Sequence, residues 1–112
     1  MVLKLSSGVI LAGETTLAKN FAGRLRGLMG RKGMSAGEAL IIKPCCQIHT
    51  FFMRFDIDVI FVDRQGRVLQ VVERMPSWRI SSLVPQARLV VELPGGSLKA
   101  SVAPGDMIKL EE

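Results

Sequence analysis

The apolar and polar positions change period several times along the chain. Val2 to Ala12 alternates loosely around Ser6-Ser7-Gly8, which predicts two short strands joined by a turn. Leu17, Phe21, Leu25 and Leu28 then recur at helical spacing, and Met29 widens the same stripe. At about 100° per residue these positions fall within about 80° of arc, one face of an amphipathic helix. The pattern therefore predicts a helix over about residues 16–29. Thr15 or Thr16 would cap its first turn, and Gly30 would end it in the left-handed conformation. Lys19 and Arg26 point away from the stripe, whereas Arg24 sits at its edge, where an arginine lays its stem on the core and aims its guanidinium into a groove.

Beyond a glycine-bearing loop at 31–37, the chain turns strand-like. Ala39 to Lys43 reads as a short strand ended by Pro44. From His49 to Val62, Phe51, Met53, Phe55, Ile57, Val59 and Phe61 occupy one alternating face. That run exceeds the usual strand length, so a break is expected near Phe55 to Ile57, giving two strands joined by a bend. Asp63-Arg64-Gln65-Gly66 is a hairpin turn, with Arg67 to Glu73 as the returning strand. Met75 to Gln86 is irregular. Arg88 to Leu93 alternates again, and Pro104-Gly105-Asp106 turns into a last strand at Met107 to Leu110. Seven or eight short strands and one helix predict a mostly β (α+β) fold, a small antiparallel β-barrel or sandwich with the helix covering one opening.

The length of 112 residues fits one domain, 1–112. With 48% apolar and 22% charged residues the chain has the makings of a core, which excludes a disordered segment. The net charge of +5 is uneven: residues 1–54 hold eight bases and two acids, the remainder seven bases and eight acids. The first half could attract an anion, a nucleic acid or an acidic protein. No run approaches a signal-peptide core or a membrane span, so the expected location is the cytoplasm, with no membrane partner. Cys45 and Cys46 are adjacent, too close for ordinary bridge geometry, and are expected to be thiols in a reducing compartment.

Four blocks in order carry a family resemblance: Arg26-Gly27-Leu28-Met29, then His49-Thr50-Phe51-Phe52-Met53, then Ile57 to Asp63, then Glu92-Leu93-Pro94-Gly95-Gly96 ahead of Gly105-Asp106. Together they resemble the domain-of-unknown-function family numbered 192, over about residues 14–110. The family's usual tryptophan-methionine pair stands here as Phe52-Met53. The resemblance implies a compact, mostly β domain with a helix. It names no reaction, substrate or cofactor.

Candidate chemistry is densest from Cys45 to Met53, which holds both thiols and the only histidine, His49. A soft-metal site would use thiolate, imidazole and thioether. On an extended chain Cys45, His49 and Met53 share a face but lie about 13 Å apart, too far for one ion. A cysteine nucleophile would need His49 within hydrogen-bond reach and an orienting group such as Asp58. Both enzyme and metal-handling readings through Cys45 or Cys46 with His49 compete with plain packing. Nucleic-acid binding could use Lys19, Arg24, Arg26, Arg31 and Lys32, five bases without an intervening acid. It lacks exposed aromatic residues beside them, since Phe21 belongs to the apolar stripe.

The leading expectation is a non-enzymatic module binding a small anionic or peptide ligand, with no catalytic residue, metal or cofactor. Its groove lies between the helix and the strands at 49–62. Arg24 would hold the anion, His49, Thr50 and Asp58 would supply polar contacts, and Phe52, with Trp78, an aromatic wall. The competing structural role for Asp58 is to accept backbone N–H bonds.

Overall fold

The computed structural model describes residues 1–18 and 31–112. Eight strands lie there: β1 Val2–Leu5, β2 Ile10–Ala12, β3 Glu14–Ala18, β4 Glu38–Ile42, β5 Ile57–Val62, β6 Val68–Met75, β7 Leu89–Pro94 and β8 Ile108–Glu111. They form two sheets, one of three strands ordered β2-β1-β8 and one of five ordered β3-β4-β7-β5-β6. All pairings are antiparallel except β3 with β4.

The expected mostly β chain of short strands is what folds, but two parts of the expectation are corrected. No helix occurs among the described residues, and 14–18, where the helix was expected to begin, are strand. Thr15 and Thr16 suit an extended backbone, and Glu14 to Ala18 pair in register with Glu38 to Ile42. That pairing buries Thr15 and Ala18, so sheet hydrogen bonds outweigh the helical spacing that starts at Leu17. The rest of the expected helix, with Phe21, Arg24 and Leu25, lies outside the described residues. The second correction concerns closure, because the sheets do not join into a barrel. The smaller sheet has strands of only three or four residues. It meets the larger one through an Arg67–Met107 bridge at one side and a Thr15 N–H bond to the Met1 carbonyl at the other.

β5 explains the layering. Its six residues are all buried, as expected of a strand covered on both faces. Ile60 and Val62 face the smaller sheet and pack in one core with Leu3, Leu5, Ile41 and Val91. Ile57, Val59 and Phe61 face the other way and pack with Ile48, Met53, Met75 and Val84. That second core is roofed by the irregular segments 43–56 and 76–88. The chain does break before Ile57, where β5 starts, but the second strand expected ahead of the bend does not form, since 50–56 are turns and bends. The Asp63–Gly66 turn forms as the sequence predicts. The Asp63 carboxylate accepts from the amides of Gln65 at 2.8 Å and Arg67 at 2.9 Å, and Gly66 takes a φ of 90°.

Candidate functional site

The two roofing segments are zipped together along their length. The Cys45 amide donates to the Arg88 carbonyl, the Val84 amide to Cys46, the Ser81 amide to Ile48 and the Thr50 amide to Arg79. His49 and Ile80 face each other across this ladder. The segments meet most tightly at Thr50, which is fully buried. Its hydroxyl donates to the Pro76 carbonyl at 2.6 Å and accepts from the Arg79 amide at 2.9 Å. Its carbonyl accepts from the amides of Trp78 at 3.0 Å and Met53 at 3.2 Å. The hydroxyl thus fixes the reversal at 76–79, and the Thr50 carbonyl closes the reversal at 50–53 and ties the two together.

Those reversals push aromatic rings outward. Phe52 is 61% exposed and Trp78 56% exposed, and their ring centroids lie 4.8 Å apart in a tilted arrangement. Phe51 stacks on His49 at 4.8 Å and on Trp78 at 6.0 Å. Ile80 and Leu83 extend the exposed apolar surface along the same ladder. Four rings linked in a row, His49-Phe51-Trp78-Phe52, depart from the scattered single apolar side chains of ordinary surfaces. The backbone at both outer rings is unusual as well. Phe52 has a φ of 64° and Trp78 a φ of 62°, a region that costs a residue with a Cβ about 1–2 kcal/mol. The Thr50 bonds hold that conformation in place.

Electrostatics favour a negative partner. Segments 43–56 and 76–88 contain Lys43, Arg54, Arg79 and Arg88 against one acid, Asp56, which pairs with Arg74. Arg54 and Arg79 lie at the ring end of the ladder, Lys43 and Arg88 at the other. Arg31, one of the five bases of the sequence cluster, is instead occupied by Glu38, with contacts of 2.8 and 3.0 Å. That hydrogen bond holds the Glu38 carboxyl below its usual range.

The sequence-predicted residues divide. His49, Thr50 and Phe52 come together, with Thr50 beneath the surface and His49 and Phe52 on it. His49 Nδ1 accepts from the Phe51 amide at 3.2 Å. Asp58 is elsewhere and fully buried. Its Oδ1 accepts from the amides of Arg74 at 2.8 Å and Gly96 at 2.9 Å, and its Oδ2 from Leu98 at 2.9 Å. The carboxylate serves backbone N–H groups, the structural role the sequence left open for it. Arg24 lies outside the described residues.

Cys45 and Cys46 remain thiols, and the Cys45 thiol contacts the Gln47 carbonyl at 3.2 Å. No three side chains of His, Cys, Asp or Glu converge among the described residues. No helix there is long and apolar enough to cross a membrane.

Two buried groups had no sequence signal. Glu92 stands on β7 opposite Leu40 and Val59, on the face of the second core, and burial pushes its carboxyl up to about 7. The Thr15 hydroxyl is buried without a hydrogen-bond partner.

Comparison with known proteins places this architecture. Residues 3–110 match DUF192, described as Uncharacterized ACR. A UPF0127 protein of Pyrococcus horikoshii is 39% identical over 97% of this chain and 97% of its own length. A UPF0127 protein of Thermococcus gammatolerans is 33% identical over 96% of this chain and 73% of its own. A crystal structure of a protein of unknown function from Novosphingobium aromaticivorans has the same fold, with a TM-score of 0.77 at 22% identity over 86% of this chain and 74% of that one.

Proposed function

The chain belongs to the uncharacterised DUF192 family, and from that premise we propose that it is a non-enzymatic binding module of the cytoplasm for an anionic peptide. The observation that carries this reading is the Phe52–Trp78 pair, two exposed aromatic rings held on left-handed backbone by a buried threonine. A fold that keeps strained residues exposed gains nothing in its own core from them, which points to use by a partner. Aromatic residues that lose little entropy on contact are favoured anchors at interfaces. His49 and Phe51 widen the platform. Arg54 and Arg79 supply charge at its edge, the task first assigned to Arg24. Thr50 acts from beneath, and Asp58 holds the adjoining turn rather than the ligand.

Trp78 is the only tryptophan, so its fluorescence reads the site directly. Selection from a displayed random-peptide library should yield sequences that place Asp or Glu beside an apolar or aromatic anchor. Their binding should change Trp78 emission and weaken about tenfold or more in Phe52→Ala, since an aromatic anchor contributes over 1 kcal/mol. Selected peptides without acidic residues, or peptides indifferent to Phe52→Ala, overturn the reading.

A further inference from the structure

A second place on the molecule has a different make-up. Where the two sheets fail to close there is a cleft of about 220 Å³, bordered by the β5–β6 turn, the ends of β4 and β7, and β8. Ile41, Val62, Leu89 and Ile108 supply its apolar surface. Lys43, Arg64, Arg88 and Lys109 also line it, and among the described residues none of these four forms an ion pair. The one acid of the lining, Asp63, uses an oxygen to hold its own turn.

The walls are fixed by backbone bonds. The Arg88 amide donates to the Val62 carbonyl at 2.7 Å, and the Ile108 amide to the Gly66 carbonyl at 2.9 Å. Gly66 lets the turn approach β8 this closely, because a Cβ there would lie 3.1 Å from the Ile108 carbonyl oxygen. The cations therefore sit on a preformed frame, which lowers the entropic cost of binding.

We propose that this seam is a second binding site, for a small carboxylate carried on an apolar body. Four cations against one carboxylate select for negative charge, and the aliphatic surface selects for hydrocarbon. Charge-assisted hydrogen bonds from Arg88 and Arg64 would fix the carboxylate end. The volume falls below the roughly 300 Å³ at which drug-sized pockets begin, so the body must be small. The aromatic platform is lined by other residues, and the two sites can fail independently.

The test uses octanoate as the probe, with octanol and acetate as controls, followed by amide NMR shifts of the full chain. Octanoate should move the amides of residues 62–66, Leu89 and 108–110. Octanol lacks the charge and acetate the hydrocarbon, so each should bind at least about tenfold more weakly, the worth of one charge-assisted contact. Arg88→Gln with Lys109→Gln should weaken octanoate by a similar factor, whereas Arg54→Gln with Arg79→Gln should not. The Arg88 side chain is not part of the backbone bond to Val62, so the variant keeps the frame, and its unchanged remaining spectrum verifies that. Equal affinity for octanol, shifts centred on Phe52 and Trp78, or no shifts at millimolar octanoate would each overturn the proposal.

Discussion

Phe52 and Trp78 meet at 4.8 Å although each carries a φ above 60°. Their contact is made outside the core, and buried Thr50 enforces it, its hydroxyl bonding the turn at Trp78 and its carbonyl the turn at Phe52. The rings are consequences of a backbone constraint, which makes their strain measurable.

At position 52 glycine should be more stabilising than alanine, the reverse of an ordinary strand or helix position. Both variants remove the ring, but only glycine relieves the left-handed backbone, by about 1 kcal/mol. Urea unfolding of Phe52→Gly and Phe52→Ala measures the difference, and an alanine variant as stable as the glycine one would show the backbone there to be unstrained.

Asp58 joins β5 to the end of β6 and to the turn after β7 through three backbone N–H groups. Asparagine keeps one acceptor oxygen and turns the other into a donor facing an N–H. Asp58→Asn should cost about 3 kcal/mol, given the worth of hydrogen bonds to a charged acceptor. Thermal unfolding reads this directly, with losses expected first in amide protection at Gly96 and Leu98.

Glu92 makes stability depend on pH in the direction opposite to a paired carboxylate. Burial raises its pKa from 4.5 to about 7, so between those values the folded state holds more protons than the unfolded one. Stability is then full below pH 4.5 and declines as pH rises to about 7, by about 3 kcal/mol from this group. Glu92→Gln should remove that decline and be the more stable protein at pH 8. Denaturant midpoints of both proteins across pH 5 to 8 test it, and parallel profiles would refute it.

Thr15 offers a gain. Its hydroxyl is buried and unpartnered, while valine has the same branching and nearly the same shape. Thr15→Val should stabilise by about 1 kcal/mol by removing an unsatisfied polar group, visible as a raised melting temperature.

Features set by neighbours in sequence could be read from it. The Asp63–Gly66 turn depends on an aspartate, a glycine and their spacing, and it forms as written. The alternation from Phe51 to Phe61 groups Met53, Ile57, Val59 and Phe61 into one core with Phe55 beside it, but it misplaces Phe51, which stacks with the surface rings because the chain is a strand only from Ile57. What depended on distant partners was hidden. Asp58 finds its donors 16, 38 and 40 residues away, so the sequence could offer backbone N–H acceptance beside a ligand contact but could not name the donors that decide between them. Leu17 fits a helical stripe by spacing, but β4 pairs with its backbone. Positive φ at a phenylalanine and a tryptophan leaves no trace in residue type, since glycine is the usual marker. Pairing Phe52 with Trp78 as aromatic walls was open to sequence reasoning, whereas their anchoring by Thr50 required the loops to be seen side by side.

The parallel pairing of β3 with β4 carries a consequence in time. The β5–β6 hairpin closes through a tight local turn and can form within microseconds. Parallel partners cannot be joined that way, and β3 meets β4 across 24 residues between paired positions, whereas β4 meets β7 across 48 to 52. Loop-closure entropy therefore favours the β3–β4 pair forming before β4 joins β7. Until that longer closure is made, the β7-facing edge of β4 is open, and the nascent chain is most vulnerable to a foreign strand there.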